Sequence, residues 1–134
     1  MPTQRPSTLR LRTSLFADAT AIVEREFAQD VALDDIARRV ASSRRQLQRA
    51  YQEIGDTTFR RHLTAVRMDR AAGLLNADHL TVREVARRVG YRQPAQFAKA
   101  FRRHHGASPS DYRADVSRNG RGPRPGPTFV AGPQ

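Results

Sequence analysis

Residues 82–113 read VREVARRVGYRQPAQFAKAFRRHHGASPSDYR, and residues 34–55, DDIARRVASSRRQLQRAYQEIG, are a fainter copy of them. Ile36, Ala37 and Val40 recur as Val85, Ala86 and Val89, 49 positions on. Leu47 and Tyr51 recur as Phe97 and Phe101, 50 on, and Gly55 as Gly106, 51 on. This drift implies one residue inserted in the second turn and another at the end of the second helix. Each copy reads as a short helix, a tight turn (Ala41-Ser42-Ser43 or Gly90-Tyr91-Arg92) and a second helix. Ala37 and Ala86 are small where the two helices must cross closely. That is the pattern of a helix-turn-helix, whose second helix enters a major groove.

Outward from the repeat, the apolar period stays helical. Leu15, Ala19, Ile22, Val23 and Phe27 form a stripe ending near Asp30. Phe59, Leu63, Val66, Ala71, Leu74 and Leu75 predict a linker helix of about 18 residues, the longest in the chain. Gly55 and Gly106 read as helix stops, and Thr81 with Glu84 as a capping box. Pro94 suits a first helical turn. Ser108, Pro109 and Asp111 open a last helix that Tyr112 and Val116 pack down. No stretch alternates as a strand does. The expected fold is all-α: two helix-turn-helix subdomains (about 33–54 and 82–105) joined by a linker helix (about 58–75), some seven helices in all.

The 134 residues carry 24 Lys and Arg against 13 Asp and Glu, a formal charge of +11 that points to a polyanionic partner. Residues 1–13 hold Arg5, Arg10 and Arg12 without an acid and are expected to form a basic arm. Residues 117–134, rich in Gly, Pro and Arg, are expected to be a disordered tail. The folded domain is therefore placed at 14–116. Ile36 to Gln52 contains Arg38, Arg39, Arg44, Arg45 and Arg49 and no acid, and Val85 to Ser110 is equally free of acids. An ordinary solvated face mixes signs along its i,i+4 rows.

Other classes find little support. There is no cysteine, which excludes disulfides, thiolate metal sites and thiol nucleophiles. No Gly-rich phosphate loop or nucleophile elbow occurs. None of His62, His79, His104 and His105 has a metal-ligand spacing, and neighbours such as 104 and 105 diverge by about 100° on a helix. No catalysis, metal or cofactor is expected. The absence of an apolar leader or spanning run suggests a cytoplasmic protein with no membrane partner.

The chain resembles the DNA-binding domain of AraC/XylS-type transcriptional regulators. The resemblance rests on AVRMDRAAGLL (65–75), on the weaker 34–55, and most specifically on Ala86, Gly90, Phe97, Phe101, Gly106, Pro109 and Tyr112. It covers about 14–116. It implies two subdomains reading adjacent major-groove segments of promoter DNA in a bacterial cell. With only some 13 residues before the first helix, the chain is similar to the small members of the family. Those members imply a monomer on an asymmetric site, activation through RNA polymerase, and no small-molecule effector.

Carried over residue by residue, the resemblance offers Arg45, Gln48 and Arg49 to base edges from the first recognition helix, and Gln93, Ala95, Gln96 and Lys99 from the second. Arg can fork to guanine and Gln to adenine, and Ala95 can meet a thymine methyl. Ser43, Arg44, Arg92, Arg102 and Arg103 suit phosphates. Pro94 and Ala95 stand where polar residues are common, so hydrogen-bonded readout is expected to be thinner in the second unit. Ala41 in place of glycine, and Ala32 in place of a capping Ser or Thr, suggest a less rigid first unit. A linker of roughly 27 Å against a groove repeat of about 34 Å leads to an expected DNA bend. The alternatives are sequence-neutral nucleic-acid binding, or a module that needs a separate partner for effector sensing.

Overall fold

The computed structural model describes residues 6–119 apart from residue 78. Within them lie seven helices and no strand: α1 (Pro6–Glu26), α2 (Leu33–Arg39), α3 (Arg44–Gly55), α4 (Phe59–Leu75), α5 (Val82–Arg88), α6 (Pro94–His105) and α7 (Pro109–Asn119). The all-α expectation and the helix count hold. The chain divides into two compact units. Among the described residues, the first takes 6–26 and 31–63; the second takes 27–30 and 64–119.

In the first unit the α1 stripe of Leu15, Phe16, Ala19, Ile22 and Val23 is buried with Leu33, Ile36 and Ala37 of α2 and Leu47, Ala50 and Tyr51 of α3. Tyr51 is its hub. The Phe16 ring meets it edge-on at 5.2 Å, Phe59 does so at 6.1 Å, and its hydroxyl is hydrogen-bonded to His62 Nδ1 at 2.9 Å. The second unit buries Met68, Ala71, Ala72 and Leu75 of α4 with Val85, Ala86, Phe97, Phe101 and Tyr112. Phe101 is the corresponding hub, packed against Phe97 at 5.7 Å and edge-on against Tyr112 at 5.4 Å.

The repeat is present in the backbone. α2 and α5 each end in a paired hydrogen-bond motif. Ala41 N–H donates to Arg38 O and Ser42 N–H to Ala37 O; Gly90 N–H donates to Arg87 O and Tyr91 N–H to Ala86 O. Such a Schellman motif requires a left-handed residue after the helix. Gly90 supplies it at φ 97°, and Ala41 is held there at φ 56° despite its Cβ. The following turn is one residue longer in the second unit, as the drift implied.

The second implied insertion is absent. α3 runs through Gly55, and the left-handed residue that ends it is Asp56, at φ 49°. Gly106, at φ 80°, therefore matches Asp56 and not Gly55, at the same 50-residue offset as the rest of the helix. Gly55 is needed for another reason. A Cβ there would lie 2.5 Å from two carbons of the Phe16 ring, so α1 approaches α3 only because that side chain is missing.

Two further boundaries differ from expectation. α1 begins at Pro6, so Arg10 and Arg12 are helical where an arm was expected, and Arg12 is ion-paired with Glu53 of α3. Leu9 and Leu11, which stay about half exposed, do not follow the buried stripe and so gave no periodic sign of helix. At the other end α7 includes residues 117–119; the remainder of the expected tail, 120–134, lies outside the described residues.

Candidate nucleic-acid interface

α3 turns Leu47, Ala50 and Tyr51 into the core, which leaves Arg45, Gln48 and Arg49 exposed on one face at i, i+3 and i+4 spacing. None of the three has an ion pair or hydrogen bond among the described residues. Ser43 opens this helix as its N-cap, its hydroxyl accepting the Gln46 N–H at 3.1 Å. Gln46 is further engaged by the Ser42 hydroxyl, which donates to its side-chain oxygen at 3.0 Å. The turn thus fixes the start of the helix and leaves the next two turns to carry the open face.

α6 is built differently. Its N-cap, Gln93, makes no side-chain cap bond, and Pro94 occupies the first turn with its φ already helical. Phe97 and Phe101 anchor the buried face. Gln93, Ala95, Gln96, Lys99, Arg102 and Arg103 are all exposed, and the last four recur at helical spacing along one side. Lys99, Arg102 and Arg103 form no ion pair among the described residues.

Two residues assigned to phosphates have acidic partners. Arg44 lies 3.3 Å from Asp34, and Arg92 lies 3.1 Å from Asp30. Both pairs are largely exposed, so each contributes little and is exchanged readily for another anion. The acids that the sequence keeps out of the basic stretches nonetheless reach into the first of them. Arg38 is paired with Asp35 at 2.7 Å, and Arg39 forks onto Glu26 at 2.8 and 2.6 Å. The Arg39 hydrogen bond holds the Glu26 carboxyl below its usual range and raises the guanidinium.

The corresponding arginines of the second unit, Arg87 and Arg88, are exposed and have no salt bridge among the described residues. Arg88 is near enough to Glu84 to help lower that carboxyl, which is held down chiefly by the backbone N–H of Thr81. The sequence reading did not single out this pair, although the 49-residue repeat pointed to it. What the sequence hid was the pairing of Arg39 with Glu26, which depends on where α1 ends; Arg38 pairs within α2.

The scaffold beneath α6 is held by arginines facing inward. Arg67 donates from Nε to the Phe27 carbonyl at 2.8 Å and from an Nη to that of Gln29 at 3.0 Å, and lies over the Tyr91 ring. Arg113 donates to the Leu75 carbonyl at 3.1 Å, where α4 ends. In the first unit, burial pushes the Tyr51 hydroxyl up and brings the His62 imidazole down to about 4, so this buried pair is neutral at neutral pH. The histidine reading changes in one respect: His104 and His105 meet Asp69 of α4, with one ligand atom from each within 4.8 Å of the others. Sequence spacing gave no sign of this, because the third group comes from another helix.

Two helix-turn-helix units with exposed, basic second helices define a DNA-binding protein. Residues 36–115 match the family described as a helix-turn-helix domain, and the chain belongs to that AraC-type family. The C-terminal domain of AraT, a response regulator from Geobacillus stearothermophilus, is 33% identical with a TM-score of 0.72, over 75% of this chain and 84% of that one. The DNA-binding domain of AdpA, a global transcriptional factor solved in complex with a target DNA, is 30% identical with a TM-score of 0.73, over 80% and 97%. The Msm operon regulatory protein of Streptococcus mutans is 28% identical over 98 residues, 73% of this chain but 35% of that protein. This chain thus matches about a third of that regulator's length. These relatives are regulators and DNA-binding domains, not enzymes. No helix of the described residues is long and apolar enough to cross a membrane.

Proposed function

We propose that the chain is a sequence-specific transcriptional regulator that binds double-stranded DNA as a monomer, α3 and α6 each entering a major-groove segment of one asymmetric site. The observation that carries this reading is the face of Arg45, Gln48 and Arg49, exposed and without partners among the described residues, on a helix whose opposite side is packed. A surface that only solvated the protein would pair such charges, as Arg38 and Arg39 are paired.

Base contacts fall to Arg45, Gln48 and Arg49, with Gln93, Ala95, Gln96 and Lys99 in the second unit. Ser43, Arg44, Arg92, Arg102 and Arg103 hold phosphates, and Arg87 and Arg88 join them. The folded module is 14–116, with α1 reaching back to Pro6 and basic termini on either side. Its setting is the bacterial cytoplasm, its action is activation through RNA polymerase, and it needs no small-molecule effector.

Selection of bound sequences from a random duplex pool, with the purified chain near physiological salt, tests this. Two unlike blocks about one helical turn apart are expected, in a site that circular-permutation gel shifts show to be bent. The second reading, sequence-neutral binding, draws on Arg87, Arg88, Arg102 and Arg103, which form no salt bridge among the described residues, beside the poorly reading Pro94 and Ala95. Tight binding with no enriched motif would establish it and overturn the first, since a specific reader favours its site by about a thousandfold or more.

A further inference from the structure

The end of α6 carries a cluster that DNA binding does not explain. His104 and His105 lie in its last turn and Asp69 lies on α4, all three in the second unit and all half-buried. One ligand atom from each lies within 4.8 Å of the others. His104 Nε2 stands 3.4 Å from Asp69 Oδ1. Two ligands on one tetrahedral zinc, with bonds of about 2.0–2.1 Å, are separated by roughly 3.3 Å. That pair is already at the spacing a shared ion sets. His105 has only to close within the 4.8 Å limit, a movement of the order of an ångström.

The His105 ring is fixed in place. Its Nε2 is 3.0 Å from the Met68 carbonyl, and its ring packs 4.5 Å from Phe101 and 5.8 Å from Tyr112, measured between centroids. A backbone carbonyl that takes one ring N–H is the usual outer partner of a metal-binding imidazole, because it fixes the tautomer and the plane. With the proton on Nε2, the lone pair sits on Nδ1. The two imidazoles are 4.7 Å apart and nearly perpendicular, so both can turn an edge toward one point.

We propose that Asp69, His104 and His105 bind one divalent transition-metal ion of the zinc class, with water completing the coordination. Two imidazoles and one carboxylate favour such an ion over magnesium or calcium, which take oxygen ligands. The ion braces the end of the second recognition helix against α4. The site thereby couples metal supply to the stability of the helix that carries Gln96, Lys99, Arg102 and Arg103.

Zinc chloride titrated into the full, metal-free chain near neutral pH tests the proposal by calorimetry and thermal unfolding. One ion per chain is expected, with Tm raised by several degrees when zinc is in about hundredfold excess over its Kd. Magnesium is expected to do nothing. Asp69→Asn and His104→Gln should each weaken zinc binding at least tenfold, and His79→Gln, on an exposed turn, should leave it unchanged. Unchanged affinity in the first two variants would overturn the proposal and reduce the cluster to a hydrogen bond between His104 and Asp69. Should either variant fail to fold, imidazole resonances of the unaltered chain decide. Zinc-dependent shifts at His104 and His105 support the site; shifts at His79 instead overturn it.

Discussion

The two helix-turn-helix units share a backbone plan and reach it by opposite means. In the first, α2 starts from Ala32 with no side-chain cap and α3 is capped by Ser43. In the second, α5 has a complete capping box from Thr81 and Glu84, and α6 starts from Gln93 without a cap, relying on Pro94. The first unit neutralises the arginine pair on its leading helix and exposes readers on the trailing one. The second leaves Arg87 and Arg88 without salt bridges among the described residues and opens its trailing helix with Pro94 and Ala95. The cores differ likewise: a Tyr51–His62 hydrogen bond stands where the second unit has Phe101 against Tyr112. The proposed function divides the roles accordingly, the first unit serving sequence and the second grip.

The largest expected effect concerns that division. Arg49→Ala removes a guanine fork and should cost about 1–3 kcal/mol of discrimination at one block of the site. Arg103→Ala, at a phosphate contact, should weaken binding to all sequences alike and lower the salt slope by about one. Gel shifts against the selected site and a scrambled duplex, at several salt concentrations, separate the two effects. If Arg103→Ala proved as selective as Arg49→Ala, the two units would read alike.

The next effect separates the cores. His62 has a folded pKa of about 4, below its unfolded value near 6.5, so the unfolded chain binds the extra proton between those limits. Stability is therefore full above the upper limit and falls as pH drops toward the lower one. The first unit should lose about 2 kcal/mol on acidification to about pH 5, with the Tyr51 hydroxyl the hydrogen-bonded neighbour of the imidazole. His62→Gln should remove this part of the slope in thermal unfolding. Parallel curves for the two proteins would show that another group carries the acid sensitivity.

Much of this was legible from periodicity. The repeat, the capping box at Thr81, Pro94 at a helix start and the Gly106 stop all follow from short-range chemistry that sequence spacing displays. The failures share a cause. Gly55 was read as a conformational glycine because it follows an apolar stripe, yet its missing side chain serves the Phe16 ring, 39 positions away. The pairing of Arg39 with Glu26, and the meeting of Asp69 with His104, also depend on which helices come to lie side by side. Local pattern gives the elements; long-range approach decides which charges remain free at the interface.

Caps should follow the same asymmetry with smaller effects. Thr81→Ala removes the hydroxyl that accepts the Glu84 N–H, leaving only the backbone half of the capping box, and should destabilise the second unit by about 1 kcal/mol. Ala32→Ser, placing a hydroxyl at the matching position of the first, should add a comparable amount if α2 is short of a cap. Chemical denaturation of the two variants tests this directly. A neutral Ala32→Ser would mean that Asp34 and Asp35 already satisfy the start of α2.

The smallest effect lies in the turns. Ala41 and Gly90 occupy the same left-handed position of matching Schellman motifs, at φ 56° and 97°. A Cβ there crowds the backbone and costs about 1–2 kcal/mol, part of which glycine gives back through the greater freedom of its unfolded chain. Ala41→Gly should therefore stabilise the first unit by about 0.5–1 kcal/mol, relieving the strain at that turn. Gly90→Ala should destabilise the second by at least as much, because its Cβ would also stand 3.1 Å from the Arg67 guanidinium. That guanidinium is committed to the Phe27 and Gln29 carbonyls and cannot withdraw without loosening them. Measured together, the two exchanges isolate one atom in two equivalent settings. Equal and opposite shifts would show that backbone conformation alone governs the position, and an excess loss in Gly90→Ala would assign the remainder to Arg67.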